Sequence, residues 1–203
     1  MSHNIDKIYY INLERRADRR ADIEAELKVM NLNAERFVGI PFEPGIVGCG
    51  KSHLAVLKMA KANGYKNVLI LEDDFTFLKS KDEFEQALDT FFHKVEDNYD
   101  VCMFCCNLVH FDPVKPYSFL YKIIEASNAC AYLVNGKYLD TLIHLYENAL
   151  PLLEQTGQHW IYANDQVWKP LQKIDNWLLF IDRLGKQKSG YSDNAQRVMD
   201  YDT

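Results

Sequence analysis

The sequence predicts an α/β fold, a single domain around a mostly parallel central sheet. Three observations predict it. Apolar strand-like segments alternate with amphipathic helix-like ones through the first half of the chain, a pattern that builds βαβ units. Residues 68–71 (VLIL) are apolar without a break, as expected of a strand buried on both faces. That run ends in Glu72, Asp73 and Asp74, and in open α/β sheets ligands bind outside the carboxyl ends of strands.

The elements follow in order. Residues 5–13 read as the first strand. Residues 16–31 read as a charged amphipathic helix with Ile23, Leu27 and Met30 near one face. A short strand is expected over 35–40, a Pro/Gly loop over 41–50, and a helix over 51–63 closed by Gly64. Residues 67–72 form the strand that leads to the acids, followed by a helix over 81–95 and a strand over 100–106. The second half is less regular. It offers a strand over 129–134, a helix over 137–150, an aromatic short helix over 160–169 stopped by Pro170, and a late strand over 177–181. From Gly185 the chain turns polar. No repeat, low-complexity run or linker divides residues 1–203.

Composition narrows the functional classes. With 203 residues, 48% hydrophobic and 13% aromatic, the chain can bury a sizeable core. A formal charge of -6 argues against a broad nucleic-acid-binding face. No apolar stretch reaches the ~18 residues needed to cross a bilayer, so no transmembrane segment is expected. The start, MSHNID, lacks the basic-then-apolar pattern of a signal peptide. Five cysteines, an odd number without secretory features, read as reduced thiols. Cys102, Cys105 and Cys106 include one C-x-x-C spacing with no second pair, which reads as a thiol-rich buried strand and not a zinc site.

The strand-end acids carry the first chemical expectation. Three adjacent carboxylates raise one another's pKa, and a hard divalent cation removes that cost. All-oxygen ligation favours Mg2+ or Mn2+, usually completed by substrate phosphates. A solvated strand end carrying surface acids is the plainer alternative.

A second motif competes with this one. Residues 45–52 (GIVGCGKS) satisfy G-x-x-x-x-G-K-[ST], which reads as a P-loop kinase or NTPase spanning Gly45 to Ser52. That motif requires a buried strand just before it. Pro41, Phe42, Glu43 and Pro44 stand there instead, and proline is confined to strand edges, starts or bulges.

The segment from Tyr10 to Arg20 (YINLERRADRR), then Gly48-Cys49 with Ser52-His53, then residues 71–74 (LEDD), resembles glycosyltransferase family 25 in order and spacing. That family includes bacterial lipooligosaccharide and collagen hydroxylysine galactosyltransferases. Residues 131–134 (AYLV), Asn164-Asp165 and residues 189–193 (SGYSD) look like later family motifs. Lys51, Leu57 and Asn194 depart from the family pattern.

The resemblance implies a GT-A, Rossmann-like fold, with a nucleotide-sugar half at about 1–107 and an acceptor half at about 108–203. It implies an inverting transfer of galactose or glucose from a UDP-sugar, with Mn2+ or Mg2+, to a glycan or collagen-like hydroxyl. Glu72 and Asp74 are the expected metal residues, Asp74 as a direct ligand and Glu72 through a metal-bound water or else on the ribose, with completion of the shell open between Asp193 and a histidine. Asn12 and Leu13 close the first strand where a nucleotide binds, with Arg16 at the start of the next helix. Arg15, Arg16, Arg19 and Arg20 oppose the helix dipole there, which a diphosphate or local acidic partners would relieve. Gly48 and Gly50 would allow close backbone approach to a ligand. Ser52 and His53 would open a helix whose amides favour an anion. Asp73 supports the donor site, and Asp165 is the expected carboxylate base.

Trp160, Tyr162, Trp168 and Trp177 suit either a sugar platform or core packing. The non-enzyme alternative is a nucleotide-sugar-binding domain without catalysis. Without a terminal retention signal, a cytoplasmic protein of microbial or viral origin is expected.

Overall fold

The computed structural model describes residues 4–192 and 197–200. Its elements in chain order are β1 (Lys7–Asn12), α1 (Ala17–Val29), β2 (Glu35–Val38), α2 (Gly45–Ala62), β3 (Asn67–Glu72), β4 (Phe75–Phe77) and α3 (Lys81–Val95). They continue with β5 (Val101–Met103), β6 (Asn107–Pro113), β7 (Leu120–Ser127), β8 (Ala131–Asn135), α4 (Leu139–Thr156), α5 (His159–Tyr162), α6 (Asn164–Val167) and α7 (Lys169–Ile174). The last are β9 (Trp177–Phe180), β10 (Gly185–Gln187), β11 (Gly190–Ser192) and β12 (Arg197–Met199).

One eight-stranded sheet runs β2-β1-β3-β8-β5-β9-β7-β6. Six of its strands point the same way; β8 and β7 are reversed. The expected α/β fold with a mostly parallel sheet is therefore present, with two reversed strands that the sequence pattern does not announce.

Strand periodicity sorts the core into two layers. Tyr9, Ile11, Val68, Ile70, Tyr132, Val134, Trp177 and Leu179 face one side, where α2 and α4 cover them with Val56, Leu57, Leu142 and Tyr146. Ile8, Tyr10, Leu69, Leu71, Ala131, Leu133, Leu178 and Phe180 face the other, under Ile23 and Leu27 of α1 and Phe84, Leu88 and Phe91 of α3. This is period-2 alternation with both faces apolar. Val68, Leu69, Ile70 and Leu71 of β3 are fully buried. Each such side chain stabilises the fold by roughly 1.5–3 kcal/mol.

Several expectations need correction. The 41–50 loop ends early, because α2 already begins at Gly45, behind Pro44 in extended conformation. Buried Val47 and half-buried Ile46 give this first turn an apolar face on the core, which outweighs the low helix propensity of its glycines. The helix expected over 137–150 starts as a 3-10 turn and continues to Thr156. It runs through Pro151, which lies on its exposed face. Pro170 does not stop a helix; it sits in the first turn of α7, where its missing N–H costs nothing. The β6–β7 hairpin, β4 and β10 were not expected. Helix α3 matches its expected span, 81–95, and is fixed by a capping box between Ser80 and Glu83.

Candidate functional site

The acids sit where the sequence places them, and the local fold explains why. β3 ends at Glu72, the chain turns through Asp73 and Asp74, and Phe75 is driven fully into the core. Phe75 packs edge-on against Phe77 at 4.9 Å, and Phe77 against Phe84 at 5.2 Å. Edge-to-face stacking of this kind clamps the turn from below. The C-terminal segment clamps it from the side: β10 pairs with β4, and the Lys188 N–H donates to the Asp74 carbonyl at 2.7 Å.

Around this turn lies an open cleft. Leu13, Arg16, Gly48, Ser52, Glu72, Asp73 and Asp74, all expected donor-site residues, line it. Arg15, Arg19, Cys49 and Gln187 line it as well. Asn12, His53 and Asp165 are not among the lining residues.

Asn12 lies beneath the cleft and is fully engaged. Its amide donates to Asp73 Oδ2 at 2.7 Å and to the Arg16 carbonyl at 3.0 Å, and its Oδ1 accepts from Arg36 at 2.8 Å. Arg19 bridges two of the acids, with Nη1 3.0 Å from Asp73 and 2.9 Å from Asp74. Arg16 pairs with Asp18 at 2.8 Å and Arg20 with Glu24 at 2.8 Å, so local acids hold these two.

Ser52 and His53 do not open a helix; they lie in the interior of α2. The Ser52 hydroxyl donates to the Gly48 carbonyl at 2.7 Å and accepts from the Ile40 N–H at 2.8 Å, tying α2 to the segment after β2. His53 is fully buried behind Glu72, with Nε2 3.0 Å from Glu72 Oε1 and Nδ1 2.7 Å from the Tyr132 hydroxyl. Ionised Glu72 selects the tautomer in which Nε2–H donates to it and Tyr132 donates to Nδ1.

The glycines serve packing. A Cβ on Gly48 would stand 2.4 Å from the Ile40 carbonyl oxygen, and one on Gly50 2.5 Å from a Leu150 methyl. Lys51 pairs with Glu154 at 2.8 Å and covers the Phe42 ring at 3.9 Å. Residues 45–50 are helical and no strand precedes them directly, so the 45–52 segment lacks the strand–loop–helix context of a phosphate loop.

Crowding dominates the electrostatics. Burial and the neighbouring Glu72 push the Asp74 carboxyl up to about 6, against Arg19 and a 2.9 Å hydrogen bond from Gln187. Burial also raises Asp73, opposed by Asn12 and Arg19. Burial acts upward on Glu72 too, but hydrogen bonding and charge from His53, with Cys49, hold it below the usual range. Glu72, Asp73 and Asp74 offer oxygen donors at this turn, the ligand type a hard divalent cation takes, while Glu72 also faces the Cys49 thiol and the His53 imidazole.

Asp165, at the start of α6, is half-buried. Oδ2 accepts from the Asn128 N–H at 2.9 Å and Oδ1 from the Gln166 amide at 3.2 Å. Asn128 has φ of 85° and donates through its side chain to Gln187 at 2.8 Å, and Gln187 donates to Asp74. A polar chain thus joins Asp165 to the acids. Asp193 and Asn194 lie outside the described residues. Gln187 and Asn128, polar residues in polar stretches, carry no sequence signal of their place at the site. The i, i+4 pairing of Cys49 with His53 becomes visible only with a helix that begins at Gly45.

The aromatic stretch divides. Trp168 and Trp177 are fully buried, 5.0 Å apart, whereas Trp160 is 63% exposed.

This architecture is that of the GT-A class, a Rossmann-like sheet with acids at a strand end. The chain aligns along 94% of its length, at a TM-score of 0.56 and 10% identity, with 95% of a solved glycosyltransferase involved in glycosylation of the major capsid of PBCV-1. No family model matches the sequence. The resemblance to family 25 is met by curated relatives. A "Procollagen lysyl hydroxylase and glycosyltransferase" of Acanthamoeba polyphaga mimivirus is 26% identical over 84% of this chain. A "Glycosyltransferase 25 family member" of Drosophila melanogaster is 30% identical over 36% of it. The chain spans 24% and 17% of those relatives' lengths. Among the described residues no helix is long and apolar enough to cross a membrane.

Proposed function

We propose that the chain is an inverting glycosyltransferase that moves a hexose, galactose or glucose, from a UDP-sugar to an acceptor hydroxyl. One observation carries this reading: Glu72, Asp73 and Asp74 converge with Arg15, Arg16 and Arg19 on one cleft at the carboxyl end of β3. The family 25 resemblance and the names of the two relatives support the reaction class.

A divalent cation at Glu72 and Asp74, Mn2+ in this reading, would supply Lewis-acid neutralisation of the departing diphosphate. The chain's own part is to present the two carboxylates at a strand end, with Asp74 aligned by Arg19 and Gln187. Arg15 and Arg16 line the cleft and would meet phosphate charge, Arg16 by exchanging its pairing with exposed Asp18. Asn12 and His53 position Asp73 and Glu72 from beneath.

Asp165 is the proposed base, taking the acceptor proton as the hydroxyl attacks. The acceptor is a glycan or a hydroxylysine-type side chain, the latter following the name of the viral relative.

The test is thermal and kinetic. UDP-hexose with Mn2+ raises the melting temperature, since a ligand bound only by the native state stabilises it, and ATP with Mg2+ does so much less. The reverse ranking overturns the donor assignment. Asp165→Asn lowers kcat by about 10²–10⁴-fold with UDP and Mn2+ affinity kept, the usual range for general-base help. If UDP and metal binding collapse instead, Asp165 acts through Asn128 and Gln187 on Asp74 and is not the base.

A further inference from the structure

We infer that Cys49, His53 and Glu72 form a second cation site, suited to a thiophilic dication such as Zn2+. Helix α2 puts Cys49 and His53 one turn apart on the same face, and β3 brings Glu72 against both. The three donor atoms lie within 4.8 Å of one another. Cys49 Sγ is 3.5 Å and His53 Nε2 3.0 Å from the same oxygen, Glu72 Oε1. A tetrahedral ion at ~2.3 Å from sulfur and ~2.0 Å from nitrogen and oxygen sets those separations at about 3.5 Å and about 3.3 Å. The two separations to Glu72 Oε1 therefore lie within a few tenths of an ångström of those an ion would set, and the third, between Cys49 Sγ and His53 Nε2, is no more than 4.8 Å.

The surroundings match what a metal site needs. His53 Nδ1 is held by Tyr132 at 2.7 Å, the outer contact that fixes a ligating imidazole. When Nε2 turns its lone pair to an ion, Nδ1–H donates to the Tyr132 oxygen. The Tyr132 proton then faces the neighbouring buried Tyr146 hydroxyl, which makes no geometrically formed hydrogen bond among the described residues. The Asn164 amide reaches Cys49 Sγ at 3.5 Å, a hydrogen bond suited to a thiolate.

The ligand types decide the ion. Sulfur and imidazole select zinc-like cations, whereas the oxygen-only set at Asp74 selects Mg2+ or Mn2+. Cys49 and Glu72 both line the cleft, so the fourth position opens towards it, as in zinc sites that keep one exchangeable ligand. Binding displaces one proton per ion, from the Cys49 thiol to solvent. On the glycosyltransferase reading, an ion held here draws Glu72 away from the donor-site cation, so Zn2+ antagonises Mn2+; this last step alone rests on that reading.

Cobalt(II) titrated into the intact chain tests the site, because tetrahedral thiolate ligation colours it. One equivalent is expected to give intense visible bands with a near-ultraviolet sulfur-to-cobalt charge-transfer band, both removed by one equivalent of Zn2+. Cys49→Ser loses the charge-transfer band, Cys102→Ser keeps it, and His53→Gln weakens cobalt binding at least tenfold. Metal-free melting curves verify that each variant folds; should His53→Gln not fold, Cys49→Ser decides. A weak octahedral spectrum, or one unchanged in Cys49→Ser, overturns the inference. The glycosyltransferase reading fails separately, by absence of a Mn2+-dependent UDP-hexose shift in zinc-free buffer.

Discussion

The central sheet joins two blocks built by different rules. β2, β1 and β3 are parallel, and each is reached from the last through one helix, so the block is closed within residues 7–72. β8, β5, β9, β7 and β6 form the other block, where Val101 pairs with both Val134 and Trp177 and, apart from the β6–β7 hairpin, neighbours lie far apart in sequence. The first block produces the carboxylates at a strand end. The second, with β10, supplies what surrounds them: Cys130 against Asp74 at 3.5 Å, Asn128, Gln187, and the Tyr132 that steadies His53. The acids come from local order here, whereas their surroundings combine Asn12, Arg19 and His53 of the first block with partners that only long-range pairing brings near.

The largest expected effect separates the two contributions at Asp74. Asp74→Asn is expected to lower Mn2+-dependent transfer by about 10²–10³-fold, the range for removing one electrostatic stabiliser. Its effect on the fold has a different sign. The folded pKa of Asp74, about 6, lies above its ordinary 3.8. Its protonated form therefore favours folding at low pH, and that contribution is lost as pH rises through 4 to 6. Without a cation the charged form costs up to roughly 3 kcal/mol above pH 6. Urea melts at pH 4 and pH 7 are expected to show a smaller loss in Asp74→Asn than in the parent; an equal loss would mean that Arg19 and Gln187 fully compensate the charge.

A second contrast lies within the aromatic stretch of the mixed block. Trp168→Ala is expected to cost about 3–5 kcal/mol, as for a large side chain lost from a packed core. Trp160→Ala, at an exposed position, is expected to stay within about 0.5 kcal/mol. Chemical denaturation of the two variants side by side measures this. A large loss at Trp160 would show that α5 is held more tightly than its exposure implies.

The smallest expected effect is at Lys51. It pairs with partly exposed Glu154 on α4, a contact worth about 0–1 kcal/mol. Lys51→Ala is expected to keep sugar transfer within about threefold and to leave stability nearly unchanged. Abolished transfer with an intact fold would return residues 45–52 to a phosphate-binding role.

What could be read from the sequence follows the same division. β3 and its acids were legible because Val68 to Leu71 are apolar on both faces and the charge begins at a single residue. The first turn of α2 was not, because Pro44, Gly45, Gly48 and Gly50 carry loop propensity that only tertiary contact with Ile40, Phe42 and Leu150 overrides. The β6–β7 hairpin was missed since β6 is an edge strand exposed along most of its length, without the alternation that marks a half-buried strand. Gln187 had no local signal at all: its role exists only because β10 pairs with β4, more than a hundred residues earlier in the chain.

That pairing orders events during synthesis. Asp74 leaves the ribosome 113 residues ahead of Gln187, its hydrogen-bond partner across the cleft. At bacterial-to-eukaryotic elongation speeds the interval is of the order of 10 s. Throughout it the acidic turn lacks the strand that will flank it, and β8 and α4, which pack on β3 and α2, emerge only after the first block has been made. On the proposed reading, the hydrogen bond that aligns Asp74 therefore arrives well after the carboxylate it aligns.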